Sequence, residues 1–127
     1  MYKQGDIVLI PVPFSDLKSQ KQRPVLIISN DTYNELTEDI VVLAITSKIK
    51  DLAYSVGIES KDLTEGELKV SSEIRADKIY TLSKKIVKKK FGKVNSEILE
   101  RVQLKINELI NSLSVKGCVK NPLTLVL

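Results

Sequence analysis

The chain has 127 residues, 43% of them hydrophobic and 28% charged, which is typical of one globular domain that folds without disulfides. The single cysteine and the absence of any long apolar segment favour a cytoplasmic protein, and the net charge of +4 is a mild bias toward polyanions. No histidine is present, which excludes His-based acid–base catalysis and His-ligated metals, so any catalysis must use arginine, lysine, carboxylates and hydroxyls.

Apolar, β-branched runs predict β-strands over the first two-thirds of the chain. They lie at 6–14, 23–29, 39–47 and, more weakly, 54–60, and the stretch 67–83 alternates apolar and polar residues with a break near Ala76–Asp77. The runs at 25–28 and 40–45 have no polar face, which predicts central strands covered on both sides. Residues 30–38 predict a short helical turn, and residues 48–53 predict a polar loop.

A helix is predicted for the last third, beginning at Asn95 or Ser96, either of which can cap it. Its apolar residues recur every three or four positions and form one face: Ile98, Leu99, Val102, Ile106, Leu109, Ile110 and Leu113. The tail 114–127 contains Gly117 and Pro122, so the helix ends before it, and its last six residues add a strand, pack on a partner or fray. The predicted fold is mainly β, a small antiparallel barrel or curled sheet with a C-terminal helix, in a single domain with its core at 5–113.

The arginine at the start of the second strand is the first candidate site residue. Pro24 holds Arg23 in an extended conformation, and the apolar strand that follows fixes the backbone beneath it. Its planar guanidinium can bind two phosphate oxygens at once. The alternative is a strand-end arginine that lies over apolar surface.

Hydroxyls end the third strand. Thr46 and Ser47 are followed by Lys48 and Lys50, and hydroxyls and lysines of this kind contact phosphates. The alternative is structural, since threonine favours strands and serine favours turns.

A third group lies at 70–78, where Ser71 and Ser72 precede Glu73 and Arg75. Glu73 and Arg75 share a strand face and predict either a surface salt bridge or a proton acceptor beside a phosphate with a structural or RNA-facing arginine. The segment 84–93 carries six lysines and predicts either a solvated charge run or a margin that binds a polyanion or an acidic partner.

In order along the chain, "GDIVLIPV", "RPVLIISND", "VVLAITSKI" and "SEIRADKI", followed by the amphipathic helix, resemble the PemK/MazF family of toxins from type II toxin–antitoxin pairs. The resemblance covers residues 5–113. It implies an SH3-like barrel with a C-terminal helix, a homodimer, and sequence-selective endoribonuclease activity on single-stranded RNA, often mRNA, without a metal or other cofactor. It also implies an acidic antitoxin that blocks the site, with DNA bound only indirectly through the antitoxin complex.

The resemblance also implies roles for individual residues. Arg23 would be the main catalytic group and Thr46 the hydroxyl that assists it. Some family members carry a carboxylate with acid–base function at the position of Ser72, so Ser47, Ser72, Glu73 and Arg75 are predicted acid–base or supporting residues. The segment Ser15–Gln22 matches the variable first loop beside the RNA groove, and the predicted RNA-binding residues are Lys18, Gln20, Lys21 and Lys48.

Two other functions remain compatible with the same fold. One is a toxin that inhibits DNA gyrase by binding, which would not need the combination of Arg23 and Thr46. The other is a module that binds RNA or antitoxin and has lost catalysis through the serine at position 72.

Overall fold

The computed structural model describes residues 1–12 and 21–111. Seven strands are described: β1 (Asp6–Pro11), β2 (Gln22–Ile27), β3 (Asp39–Thr46), β4 (Ser55–Ile58), β5 (Leu63–Glu65), β6 (Ser72–Ser83) and β7 (Lys89–Val94). Two α-helices, α1 (Asp31–Leu36) and α2 (Ser96–Ile110), and two 3-10 turns complete the described fold. Predicted features at Pro13, Phe14, Leu113 and the tail 114–127 lie outside the described residues.

The strands form one curled antiparallel sheet in the order β4-β6-β3-β2-β1-β7-β5. With the helix α2 at its C-terminal end, this confirms the predicted mainly β fold. β2 and β3 lie inside the sheet, as their apolar runs predicted. The chain enters β1 through Gly5, whose φ of +93° favours glycine, and its amide binds the carbonyl of Ile27 at the end of β2.

Both faces of the sheet are covered by apolar side chains. The helix-side cluster contains Ile7, Leu26 and Leu43 from the first three strands together with Ile98 and Val102 of α2. The opposite cluster is built from the alternate positions of the same strands: Val8, Ile10, Val25, Ile27, Ile40 and Val42, with Leu82 of β6. Strict alternation therefore fixes which side chains of β2 and β3 share a face, and this places Arg23 and Thr46 on the face of the opposite cluster.

The predicted break in the last long strand is present as a bulge. Leu43 pairs with Ile79 while its neighbour Ala44 pairs with Arg75, so the three residues between Arg75 and Ile79 have no partner on β3. Pairing with β3 resumes on the far side of the bulge, and β6 runs as one strand from Ser72 to Ser83. The strand begins five residues later than predicted.

Two strands were not predicted, and the buried face of the C-terminal helix is shorter than its apolar pattern. β5 was not foreseen, and the lysine-rich segment expected to be a charge run contains β7, which lies between β1 and β5. On α2, Asn95 caps the start as predicted, and Ile98 and Val102 are buried. Leu109 and Ile110, which continue the predicted apolar face, are 37% and 71% exposed.

The predicted helical turn at 30–38 is confirmed as α1, capped by the side chain of Asn30. Within residues 1–12 and 21–111, no helix is long and apolar enough to cross a membrane.

Candidate active site

A cavity of about 920 Å³ opens where β1 ends, β2 begins and β3 ends. Five of the predicted site residues line it: Arg23, Thr46, Ser47, Lys48 and Ser72. The other part of its wall is the segment Glu67–Val70, which precedes β6. Residues that are far apart in the sequence thus meet at one rim of the sheet.

The strand register brings Arg23 and Thr46 together. Val25 of β2 pairs with Ala44 of the antiparallel strand β3. Arg23 lies two residues before Val25 and Thr46 two residues after Ala44, so the same register places them opposite each other. Pro24 pairs with Leu9 of β1, whereas the pairing with β3 begins only at Val25. A proline is tolerated at such a position because the strand is hydrogen-bonded on one side only.

The rim is electropositive. Among the described residues that line the cavity, the cations are Arg23, Lys48 and Lys69, and Glu67 is the single carboxylate. Arg23 is exposed, and its side chain makes no hydrogen bond or ion pair with any described residue. A guanidinium at the rim of a positively charged cavity, with no partner among the described residues, can bind a phosphate.

The hydroxyl of Thr46 has a defined position. Its Oγ1 accepts a hydrogen bond from the backbone N–H of Lys48 at 3.1 Å, which closes a small turn around the exposed Ser47. Because the amide uses a lone pair of the oxygen, the hydroxyl proton remains free to donate to a ligand in the cavity.

Ser72 and Glu73 lie on opposite faces of β6, as alternation predicted. Ser72 is buried, lines the cavity and donates its hydroxyl to the carbonyl of Val70 at 3.2 Å. Glu73 is 2% exposed, does not line the cavity and accepts the backbone N–H groups of Lys50 and Asp51 at 3.1 and 3.2 Å. The carboxylate is therefore occupied by the loop that follows β3.

Of the two alternatives for Glu73 and Arg75, the salt bridge between them is wrong. Arg75 donates instead to both carboxylate oxygens of Asp77, at 2.9 and 2.8 Å, across the bulge of β6. The hydrogen bond from Arg75 holds the pKa of Asp77 below its usual range, and the same bond to Asp77 raises the pKa of Arg75. Arg75 does not line the cavity.

A sequence profile of the family described as "PemK-like, MazF-like toxin of type II toxin-antitoxin system" matches residues 3–110. The chain belongs to this family. The match spans every described strand and the helix α2 of this PemK/MazF-like toxin.

Several solved structures have the same fold. An endoribonuclease in complex with its cognate antitoxin from a mycobacterial species superposes with a TM-score of 0.68 at 19% identity, covering 88% of this chain and 97% of that one. A MazE–MazF structure from Deinococcus radiodurans gives 0.71 at 22% identity, over 86% and 95% of the two chains. The Mycobacterium tuberculosis toxin MazF-mt6 gives 0.66 at 19% identity, over 81% and 93%.

The remaining predicted contacts of this PemK/MazF-like toxin lie in or near the first loop. Lys18 and Gln20 fall outside the described residues. Lys21 is described and exposed, immediately before β2, and is not part of the cavity wall.

The lysine-rich segment divides between structural and solvent-facing roles. Lys90 binds Glu65 at 3.0 Å and lies 3.4 Å from the buried Asp6, and the pKa of Lys90 is raised chiefly by the bond to Glu65 and also by the charge of Asp6. Lys85, Lys88 and Lys89 are exposed. Lys84 donates its ammonium to the carbonyl of Asn34.

Sequence reasoning missed the second wall of the cavity. The segment Glu67–Val70 and the side chains of Tyr80 and Phe91 line it. No sequence pattern predicted that these residues line a cavity, although the stretch between β5 and β6 is long enough to form part of its wall. Within the described part of the chain, no three His, Cys, Asp or Glu side chains are grouped so that they could hold a metal ion.

Proposed function

We propose that the protein is a toxin that cleaves single-stranded RNA, mRNA in particular, at selected sequences, without a metal, and thereby arrests translation in the cytoplasm. The observation that carries this proposal is the meeting of Arg23 and Thr46 at one electropositive cavity in a chain of the PemK/MazF-like family. Two of the solved structures that share the fold are described as endoribonucleases, one of them bound to its antitoxin.

The proposed reaction is an intramolecular transesterification. A ribose 2′-oxygen forms a bond to the adjacent phosphorus while the bond to the 5′-oxygen of the next nucleotide breaks. The 2′-hydroxyl loses its proton, and the leaving 5′-oxygen gains one. The products are a 2′,3′-cyclic phosphate, or the 3′-phosphate formed from it by hydrolysis, and a 5′-hydroxyl end.

Arg23 stabilises the charge that develops on the phosphoryl oxygens, and this kind of electrostatic stabilisation is commonly the largest contribution to catalysis. Its fork can bind two oxygens at once, and none of the described residues pairs with it. The Thr46 hydroxyl, oriented by the Lys48 amide, donates to the same group. Lys48 adds attraction to the RNA backbone at the rim, and Ser47 and Ser72 are supporting hydroxyls at the same cavity.

The proposed partners follow from the same surface. An acidic antitoxin segment is complementary to a cavity that carries three cations and one described carboxylate, and its binding would exclude RNA. The D. radiodurans and mycobacterial structures contain a toxin of this fold with its antitoxin. We propose that this protein likewise acts as a homodimer that is neutralised by a cognate antitoxin and reaches DNA only through that complex.

The test is cleavage of a long RNA by the purified protein in EDTA, with the new ends mapped chemically. We expect discrete cuts with 5′-hydroxyl ends, no cut where the nucleotide before the scissile bond is 2′-deoxy, and loss of cutting in Arg23→Ala. Full activity of Arg23→Ala would contradict the role of this residue. Absence of cutting by the unmutated protein, with RNA still bound, would favour a binding module instead.

A further inference from the structure

The buried carboxylate of Glu73 binds two backbone amides of the loop after β3, which its sequence position did not indicate. Glu73 lies in register with Thr46, on the neighbouring strand and on the same face. Its two oxygens accept one backbone amide each, from Lys50 and Asp51. A carboxylate is rarely buried without such partners, because the loss of hydration has to be offset by charge-assisted hydrogen bonds.

The loop after β3 is therefore held at two points by two side chains that face each other across β3 and β6. At its start, the Thr46 hydroxyl accepts the Lys48 amide, and at its far end Glu73 accepts the amides of Lys50 and Asp51. Asp51 has a φ of +51°, a left-handed conformation that costs a non-glycine residue free energy and persists only where its surroundings impose it. The amides of Lys50 and Asp51 donate to Glu73 at this point of the loop.

We propose that Glu73 is a positioning residue that acts through this loop on Thr46. By fixing Lys50 and Asp51, it keeps the Lys48 amide on the Thr46 oxygen, and so keeps the hydroxyl proton directed toward the bound phosphate. This inference rests on the proposed nuclease function for its catalytic part. The loop anchor itself is independent of any activity.

In this proposal Glu73 is therefore not the general acid or base of the reaction. The carboxylate does not line the cavity, and both of its oxygens are engaged by amides of a loop that would have to open before a proton could be exchanged with substrate. Ser72, which does line the cavity, donates its hydroxyl proton to the carbonyl of Val70.

The anchor is tested first by amide hydrogen exchange on the unmutated protein. Lys50 and Asp51 should exchange at least ~10-fold more slowly than Ile49 and Leu52 of the same loop, whose amides make no hydrogen bond to a described residue. In Glu73→Gln, which keeps one acceptor and replaces the other with a donor, this protection should fall. Equal exchange of all four amides in the unmutated protein would overturn the anchor, and this arm needs neither RNA nor a folded variant.

The effect on catalysis is tested by a double-mutant cycle. Glu73→Gln should lower kcat about 10-fold with KM changed less than about 2-fold, because Arg23 still holds the phosphate. In a Thr46→Val background the same change should lower kcat by less than about 2-fold, because the hydroxyl it positions is already absent. Glu38→Gln, the same chemical change at an exposed site, serves as the matched control and should leave kcat unaltered.

The outcomes separate the two proposals. An equal loss from Glu73→Gln in both backgrounds would show a general structural effect and overturn the coupling to Thr46. Failure of the unmutated protein to cut RNA would overturn the nuclease function and, with it, the catalytic part of this inference. The exchange measurement would still decide whether Glu73 anchors the loop.

Discussion

Two arginines lie close together on the sheet and have opposite surroundings. Ala44 of β3 pairs with Val25 of β2 on one side and with Arg75 of β6 on the other. Arg23 and Thr46 each lie two residues further along their strands from this row. The Arg75 guanidinium donates through two of its nitrogens to the carboxylate of Asp77, whereas Arg23 has no partner among the described residues.

The difference indicates which of the two arginines is better placed to bind a ligand. Arg75 closes the bulge of β6, whose three extra residues supply the carboxylate it binds. Arg23 precedes a proline near the start of β2, and none of the described residues forms an ion pair with it. A cation whose charge is already compensated contributes little to binding a phosphate, so the unpaired arginine is the one to test first.

The largest expected effect comes from removing each arginine in turn. Arg23→Ala should lower RNA cleavage on the order of 10²–10³-fold, since it removes the main charge stabilisation of the transition state. Arg75→Ala, the matched control, should stay within about 3-fold when cleavage is measured with properly folded protein. Comparable losses at the two positions would break the contrast and point to a catalytic role for both.

A smaller loss is expected from the threonine that faces the same cavity. Thr46→Val keeps the shape and strand preference of the residue but removes the hydroxyl, and should lower kcat about 10- to 100-fold. Thr46→Ser should retain most of the activity. Thr81→Val makes the same change at an exposed strand position outside the cavity and should have no effect. Activity of Thr46→Val equal to the unmutated protein would remove the hydroxyl from the mechanism.

The unequal success of sequence reasoning has physical causes. Arg23, Thr46 and Ser47 could be located because a polar residue at the end of an apolar strand has to lie at a rim, whatever the tertiary structure. The partner of Glu73 could not, because the amides that it binds are 22 and 23 residues away and are brought near only by the fold.

Strand β7 is a second case in which tertiary contacts decide the structure and the sequence pattern does not show them. Its lysines predicted a solvent-exposed charged segment. In the structure, however, Phe91 is half-buried and Gly92 and Val94 are buried. Gly92 also has a steric role that no periodicity shows, since a Cβ there would lie 2.6 Å from the carbonyl oxygen of Glu65 on β5. The apolar pattern of α2 likewise did not show where burial stops, since Ile98 and Val102 are buried whereas Leu109 and Ile110 are exposed.

The contrast between free and compensated cations extends to lysines, with a weaker expected effect. Lys48→Gln should reduce the slope of log affinity for single-stranded RNA against log salt by about 0.7, the value for one lost phosphate contact. Lys90→Gln should leave the slope unchanged, because Lys90 is paired with Glu65 and lies beside Asp6. Binding would be measured with RNA that carries a 2′-deoxy nucleotide at the scissile position. Equal slopes for both variants and the unmutated protein would exclude Lys48 from the RNA contact.

The smallest expected effect is on stability, through the carboxylate that compensates Arg75. Because the pKa of Asp77 is lowered in the folded state, the ion pair stabilises the fold above the unfolded pKa and this contribution is lost as pH falls through the lower, folded pKa. Asp77→Asn should therefore cost less than about 1 kcal/mol at pH 7, since the pair is partly exposed, and the difference should shrink in acid below pH ~4. Urea unfolding at several pH values measures it. A difference that does not change between pH 7 and pH 3 would mean that the charge of Asp77 does not stabilise the folded state.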